Sequence, residues 1–258
     1  MNERSEASAA FWAALPLGPD VTVLAYDANG LGALAKPAGV RSHPNEDVVG
    51  IDRHALLAAD YAPDAEHFEW TPPGAAVPAR LWLLNRLDAA TSGVILAAAD
   101  AALAASIREL FQRKRVRKVY QALVFGAPAR PVELWRDWLK IEKAGGHIRA
   151  GLGGGIMAET QMSVLSRSRG GASLSLLKLE PRTGRSHQLR VQCAERGLPI
   201  VGDMTYGDFS ANREFFRAGG TKRMFLHSAE TAFDYEWQGR THRFVAKAPP
   251  PPDFRASG

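Results

Sequence analysis

The sequence contains almost no cysteine: Cys193 is the one cysteine among 258 residues. A single cysteine cannot form an internal disulfide, and a metal site built on several cysteines is not expected. The sequence also has no glycine-rich phosphate loop and no HExxH pair, so nothing in it indicates a nucleotide cofactor or a zinc protease site. A chain with so little cysteine suits a reducing compartment, and we expect a cytoplasmic protein.

Long apolar runs are missing too. No stretch is long enough to span a membrane, and the first residues, MNERSEASAAFWAALPLG, carry acidic side chains and no long apolar core. We therefore expect neither a membrane partner nor a secretory signal. The excess of positive charge is small, with 32 Lys and Arg against 27 Asp and Glu and a net charge of +5. Such an excess permits an anionic partner, but an ordinary surface gives the same value.

The hydrophobic content of 46% is enough for a sizeable core. Alternating apolar patterns and turn residues predict strands and helices along most of the chain. Strands are predicted at residues 21–26, 31–36, 81–84, 94–98, 119–126, 174–181, 224–233 and 241–247, and helices after Asp100 and from Ser186 or His187 to Arg196. Residues 60–80 are typical of a loop, and residues 127–157 of a flexible excursion with hairpins. This order predicts an α+β fold with a mostly antiparallel sheet.

The domain organisation predicted from composition is simple. Residues 1–19 form a polar, Ala-rich arm that we expect to be flexible, residues 20–254 form one domain, and residues 255–258 form a C-terminal tail. No internal repeat is visible.

Residues 85–93, NRLDAATSG, place the carboxylate of Asp88 on a tight turn between two apolar strands. Taken alone, an aspartate before Thr-Ser-Gly is typical of a side chain that caps its own turn. The flanking strands fix the turn, however, and Arg86 brings a charge to it. These two features favour a chemical use for Asp88.

Residues 184–190, GRSHQLR, bring two arginines and a histidine close to the start of a predicted helix. Positive charge near a helix N-terminus opposes the helix dipole, and this cost suggests a function. An arginine can hold a carboxylate ionised and oriented. Asp88 and these arginines are therefore candidates for one chemical site.

The two stretches together resemble the signature of the RluA-like pseudouridine synthases, which isomerise uridine in RNA. NRLDAATSG is similar to the family's HRLDxxTSG, with Asn85 in place of the leading His, and residues 111–124 are similar to its F..R…K.Y.A.V segment. Residues 199–207, residues 36–39 and residues 225–228 match further family blocks, which we interpret as structural. The resemblance covers roughly residues 21–254, and we expect no N-terminal S4-type module because about twenty residues precede Val21.

The resemblance implies a pseudouridine synthase catalytic domain with a long bent sheet, without cofactor or metal. It implies that Asp88 is the catalytic carboxylate, that Arg190 pairs with it, and that Tyr120 packs on the target base. Taken alone, Tyr120 is more typical of core packing, and the basic run at residues 113–118 of a solvated face. The predicted RNA contacts are Arg86, Asn85, Arg185, His187, Arg113, Lys114, Arg115 and Lys118.

The resemblance predicts a monomeric RNA pseudouridine synthase that acts on ribosomal or transfer RNA; the sequence does not select the RNA or the uridine. One alternative is a non-catalytic RNA-binding protein or chaperone that retains the fold, which Asn85 favours. Another is a hydrolase of nucleosides or glycans, which needs a pair of carboxylates. Asp203 is the candidate for that second acid.

Overall fold

A computed structural model describes residues 3–44, 51–52, 54–144, 147–168 and 173–254. The predicted C-terminal tail at residues 255–258 lies outside the described residues. The chain divides into two compact units. The first unit contains residues 1–116 and 230–248, and the second contains residues 117–229 and 249–258.

The described residues form four helices and thirteen strands. In chain order they are α1 (Glu3–Ala13), β1 (Thr22–Tyr26), β2 (Leu31–Lys36), β3 (Asp60–Ala62), β4 (His67–Trp70), β5 (Ala79–Leu83), β6 (Ser92–Ala98), α2 (Ala101–Gln112), β7 (Arg117–Phe125), β8 (Val132–Ala144), β9 (His147–Leu152), β10 (Ile156–Arg167), β11 (Leu174–Pro181), α3 (Gln188–Ala194), α4 (Phe209–Arg217), β12 (Leu226–Trp237) and β13 (Arg240–Lys247).

The first unit is built on β6, which is buried along its whole length. β6 pairs antiparallel with β2 and β5, β2 pairs with β1, and β5 continues through β4 to β3. Helix α2 begins after Asp100, whose carboxylate accepts a hydrogen bond from the Leu103 N–H. Its buried residues Leu103, Ala104 and Ile107 join the core of this unit. The predicted hairpin at residues 21–36 and the predicted helix after Asp100 are confirmed.

Helix α1 occupies most of the arm at residues 1–19, which the sequence analysis expected to be flexible. Trp12 is 1% exposed and its ring lies directly over Gly32, where even a Cβ would come within 2.4 Å of it. The Ser8 hydroxyl donates to the Asp27 carbonyl. The aromatic anchor gives a marginal helix the tertiary packing that such helices need.

The region at residues 60–80 also differs from the expected loop, because β3 and β4 form a short hairpin there. Phe68 is fully buried and contacts the ring of Tyr61 at 4.9 Å between centroids. The buried Phe68 thus stabilises a hairpin that the sequence did not predict, because the surrounding Pro and acidic residues are typical of a loop.

The second unit is an antiparallel sheet in the order β7-β11-β10-β8-β9. Helix α3 packs on one face through Leu189 and Cys193, against Trp135, Met162 and other buried side chains. The predicted excursion at residues 127–157 contains β8, β9 and the start of β10. The α+β class with mostly antiparallel strands is confirmed. No helix in the described part of the chain is both long and apolar enough to cross a bilayer.

Candidate active site

The turn that carries Asp88 follows β5 and leads into β6. Arg86 is exposed, Leu87 is buried and Asp88 is half-buried. This alternation matches an extended segment, in which residues two apart point to the same side. The turn closes with a hydrogen bond from the Thr91 N–H to the Asp88 carbonyl at 2.9 Å. Arg86 and Asp88 therefore share the solvent-facing side of a short extended segment.

Ser42 holds this turn from a distant part of the chain. Its hydroxyl donates to the Leu87 carbonyl at 2.7 Å and accepts from the Leu87 N–H at 3.0 Å, and Ser42 is buried. Both backbone groups of the residue before Asp88 are thus satisfied by one side chain. Two bonds from a buried hydroxyl leave the backbone beside Asp88 little freedom to rotate.

Lys36 holds the other side of the turn. The side chain is 1% exposed, and its ammonium donates to the carbonyls of Pro37, Val40 and Ala89 at 3.0, 2.6 and 3.0 Å. The Gly39 N–H donates to the same Ala89 carbonyl at 2.8 Å. A buried ammonium needs several acceptors, and these three provide them. The positive charge of Lys36 is therefore fixed next to the residue that follows Asp88.

Asn85 bonds to the neighbouring strand. Its Oδ1 accepts a hydrogen bond from the Leu96 N–H at 2.8 Å. This contact explains how an amide serves at the first position of the motif: it ties the turn to β6. Contact between Asn85 and RNA stays a prediction.

Arg86 forms no hydrogen bond or ion pair with any residue that the structure describes. Its charge nevertheless affects the pKa of Tyr61. Burial and Glu66 raise the pKa of Tyr61, and the charges of Arg86 and Arg108 oppose that rise. Tyr61 stacks on His43 with 5.3 Å between ring centroids. Arg86 is thus an exposed cation near a stacked aromatic pair.

In the second unit, Arg190 forms a buried two-pronged ion pair with Asp203. Nε and Nη2 donate to the two carboxylate oxygens at 2.7 Å each. Burial alone would raise the pKa of Asp203, but the hydrogen bonds and charge of Arg190, with the N–H groups of Thr205 and Tyr206, hold it below its ordinary value. The Tyr206 ring lies 5.0 Å from Arg190 Cζ. Asp203 is therefore committed to Arg190.

His187 immediately precedes α3 in a left-handed conformation, with φ of 55°. Its Nδ1 lies 2.8 Å from the Tyr206 hydroxyl, which also accepts from the Ala150 N–H at 2.8 Å. Tyr206 therefore contacts both His187 and Arg190. Two residues predicted for separate roles, His187 and Arg190, are thus brought together around a tyrosine that was not predicted to have a chemical role.

A buried amide network fixes the loop before α3. The Thr183 hydroxyl donates to Gln188 Oε1 at 2.7 Å, and Gln188 Nε2 donates to the Glu159 carbonyl and the Thr160 hydroxyl. The Arg185 N–H donates to the same Gln188 Oε1. The Arg185 side chain is exposed and forms no ion pair with a described residue. The network thus presents Arg185 to solvent.

Lys118 and Tyr120 lie two residues apart on β7 and share one side of the strand. Tyr120 is half-buried and packs against the core under α3. Lys118 donates from Nζ to the Thr183 carbonyl at 3.2 Å. Burial lowers the pKa of Lys118 to about 8. Lys118 therefore supports the loop that carries Arg185.

The basic run at residues 113–118 is divided by the structure. Arg113 pairs with Glu109 at 2.6 Å, and Arg117 pairs with Glu180 at 2.9 Å. Lys114, at φ of 58°, and Arg115 are exposed and have no ion pair with described residues. These two residues are the members of the run that are most open to an anionic partner.

The residues that hold the site were not identified as such in the sequence. Ser42 precedes Leu87 by 45 residues, and no local pattern links them. Lys36 ends the apolar stretch LGALAK and begins the block at residues 36–39, which was interpreted as structural without a role for the lysine. Among the described residues there is no group of three or more His, Cys, Asp or Glu side chains placed to bind a metal.

Comparison with known proteins identifies relatives. The family described as RNA pseudouridylate synthase matches residues 31–195. The ribosomal large subunit pseudouridine synthase C of Escherichia coli K12 is 30% identical over 234 residues, which are 87% of this chain and 66% of the relative. An uncharacterized RNA pseudouridine synthase of Chloroflexus aurantiacus is 30% identical over 226 residues, 83% of this chain and 62% of the relative. The chain thus spans slightly less than two thirds of these relatives.

Two solved structures share the fold. Human RNA pseudouridylate synthase domain containing 1 superposes with a TM-score of 0.66 at 24% identity, covering 92% of this chain and 87% of the other. Human RNA pseudouridylate synthase domain containing 4 gives 0.60 at 23% identity, covering 96% and 94%.

Proposed function

The chain belongs to the RNA pseudouridylate synthase family, and on that premise we propose that it converts uridine in RNA to pseudouridine with Asp88 as the catalytic carboxylate. The observation that carries the proposal is the construction of the Asp88 turn. Ser42 satisfies both backbone groups of Leu87, and Lys36 fixes the backbone of Ala89. The backbone on both sides of Asp88 is thus held in place, and Asp88 itself is only half-buried.

The reaction is an isomerisation and needs no second substrate. The N1–C1′ bond breaks, the uracil rotates and C5 bonds to C1′, while C5 loses a proton and N1 gains one. Asp88 serves by attack on the sugar, by attack on the base or by removal of a sugar proton, and each of these roles needs an ionised carboxylate. The proposed chemistry uses no metal or cofactor, so chelators leave the activity unchanged.

We assign the supporting roles from the resemblance and from local geometry. Arg190 is assigned as the cation that pairs with Asp88, and its rigid pairing with Asp203 supports this, because a fixed guanidinium loses little entropy when it meets a carboxylate. Tyr120 is the aromatic wall for the target base, since a half-buried phenol replaces stacking that a flipped base has lost.

RNA contacts are assigned to the exposed basic residues Arg86, Lys114, Arg115 and Arg185, none of which has an ion pair with a described residue. Exposed cations of this kind release counterions from phosphates. His187, Arg113 and Lys118, which contact protein groups, are further candidates for RNA contact. Because the relatives named above include an enzyme of the ribosomal large subunit, we propose ribosomal RNA as the first substrate to test and transfer RNA as the second. We propose further that the protein is a monomer and that it acts in the cytoplasm.

The test is a map of pseudouridine in total RNA from cells with the gene, without it, and with Asp88→Asn in its place. We expect at least one position to lose pseudouridine without the gene and in Asp88→Asn cells. Asp234→Asn, which changes an exposed carboxylate on β12, is the matched control and should retain the modification. Pseudouridine that persists in Asp88→Asn cells and disappears only without the gene would remove Asp88 from the chemistry. An unchanged map in all cells would favour a non-catalytic RNA-binding protein.

A further inference from the structure

One face of the sheet in the second unit carries an exposed tryptophan among basic side chains. Trp138 on β8 is 54% exposed. Its neighbours two residues away on the same strand, Arg136 and Lys140, are also exposed. Residues two apart point to the same side of a strand, so these three side chains form a row. A tryptophan this exposed gains little from packing and is a candidate for contact with a partner.

The register of the sheet extends this row to the neighbouring strand. Arg136 is paired with Glu159 on β10, and directly paired residues share a face. Glu159 accepts from Arg136 at 3.1 Å and from Arg182 at 2.7 Å, so one carboxylate holds two guanidinium groups. These bonds hold the pKa of Glu159 below its ordinary value. We call Arg136, Trp138, Lys140, Glu159 and Arg182 the Trp138 face.

The opposite face of the same strands is the one that packs inside the protein. Trp135 and Leu139 on β8, with Ala158 on β10, are at most 1% exposed. Trp135 and Leu189 of α3 belong to one core cluster. The two tryptophans of β8 therefore have opposite environments. Trp135 is in the core, and Trp138 is 54% exposed and belongs to none of the core clusters given for the described residues.

We propose that the Trp138 face binds single-stranded RNA, with an unpaired base stacked on the indole of Trp138 and phosphates contacting Arg136, Lys140 and Arg182. Three cations against one carboxylate give this face a positive balance that fits a polyanion. A flat indole on a sheet suits an unpaired base, because bases in a duplex are already stacked. Met157 is paired directly with Trp138 and is the apolar neighbour across the sheet. The neighbours of Trp138 two residues away on its own strand are both cations, however, which suits a stacked base beside phosphates better than an apolar protein interface. The inference rests on the proposed action on RNA.

The experiment compares Trp138→Ala, Trp138→Phe and a matched control, Val132→Ala. Val132 is a 59% exposed apolar residue on the same strand and the same face, six positions away. The probe is a fluorescein-labelled oligouridine strand, and its complementary duplex serves as the second ligand. Thermal melting of each variant checks the fold. Binding is measured by anisotropy at several salt concentrations.

We expect Trp138→Ala to weaken binding of the single strand by about fivefold or more, the lower end of the effect of losing one base–aromatic stack. Trp138→Phe keeps a ring and should recover part of this loss, while Val132→Ala binds like the parent protein. Duplex affinity should be similar for all three. Arg182→Gln should make the salt dependence shallower, because one phosphate contact is lost.

Single-strand binding by Trp138→Ala that equals the binding by Val132→Ala would overturn the proposal. So would equal losses for the single strand and the duplex, or a changed oligomeric state at unchanged RNA affinity, which would mark the face as a protein interface. The proposed function fails separately. If no RNA loses pseudouridine without the gene while Trp138→Ala binds the single strand weakly, the Trp138 face is an RNA-binding surface and the proposed enzymatic function is wrong.

Discussion

The carboxylate of Asp203 meets the guanidinium of Arg190 edge to edge, with Nε and Nη2 each donating a 2.7 Å hydrogen bond. The Arg190 side chain is 8% exposed and that of Asp203 is 1% exposed. Asp203 also accepts from two backbone N–H groups, so its own position is fixed. The direction in which Arg190 presents its remaining N–H groups is therefore set by a residue 13 positions later in the chain.

Asp203→Asn should reduce pseudouridine formation and destabilise the protein together. An amide keeps one acceptor but loses the charge, which leaves a buried guanidinium without its counterion at a cost of about 3 kcal/mol. The measurement is urea unfolding alongside turnover.

Arg190→Lys should lose most activity because lysine lacks the planar fork, and Arg185→Lys, on an exposed residue, should be milder. If Arg185→Lys is the more damaging variant, the catalytic arginine has been misassigned.

Asp203 also makes the stability depend on pH in a defined direction. Its folded pKa lies below the ordinary value, so its contribution is complete above about pH 4 and is lost as the pH falls through the folded pKa. The free energy of unfolding of the parent should fall over this acidic range more steeply than that of Asp203→Asn. Parallel curves for the two proteins would contradict the role assigned to the pair.

Lys118 should make stability rise with pH in a second range, in alkali. Its folded pKa of about 8 lies below its value of about 10.4 in an unfolded chain, so the unfolded state binds more protons between these two pH values. This residue's contribution to stability therefore rises as pH increases from about 8 to 10. Lys118→Met should flatten the rise in unfolding free energy, and the exposed Lys222→Met should leave it as in the parent. Equal slopes for both variants would show that Lys118 titrates normally.

Ser42→Ala should slow the reaction more than it weakens RNA binding. Removal of the hydroxyl leaves the buried N–H and C=O of Leu87 without this partner, at a cost of about 1–3 kcal/mol. The Asp88 turn then gains freedom, and we expect kcat to fall with little change in KM. Ser166→Ala, at an exposed serine, is the control. A change in KM alone would place Ser42 in substrate binding.

Arg86→Ala should impair extrusion of the target uridine. Flipping a base costs a few kcal/mol, and a planar cation can fill the vacated gap and stack on the neighbouring bases. A fluorescent base analogue at the target position reports the flipped state. We expect slow, incomplete flipping in structured RNA and retained activity on a loose loop. Arg80→Ala, which removes an arginine already paired with Glu69, should flip the analogue like the parent. If Arg86→Ala also flips the analogue like the parent, Arg86 has no role in base flipping.

The sequence predicted the elements whose boundaries are marked by local residues, such as a helix cap or a turn. Asp100 caps α2 as expected, and residues 27–30 form the turn between β1 and β2. Helix α4 was missed although Asp208 caps it in the same way, through the N–H groups of Ser210 and Ala211. Its sequence, FSANREFFR, is shorter and more polar than that of α2, and a cap before so polar a segment was not recognised.

The candidate site was predictable only in part, for a physical reason. The motifs identified Asp88, Arg86 and Arg190 because their neighbours in sequence are distinctive. The partners that fix them, Ser42 and Asp203, act through tertiary contacts that no local spacing encodes. Asp203 had been considered as a second acid for hydrolysis. Its burial and its pairing with Arg190 make it a poor acid–base group, which weakens the hydrolase alternative.

The contact between Trp12 and Gly32 has a consequence for how this protein can evolve. A methyl group at position 32 would overlap the indole, so the two positions cannot vary independently. A larger residue at 32 has to coincide with a smaller one at 12 or with displacement of α1 from the sheet. In an alignment of descendants, a residue larger than glycine at 32 should therefore appear only where tryptophan at 12 has been replaced or where the N-terminal helix no longer lies on the first unit.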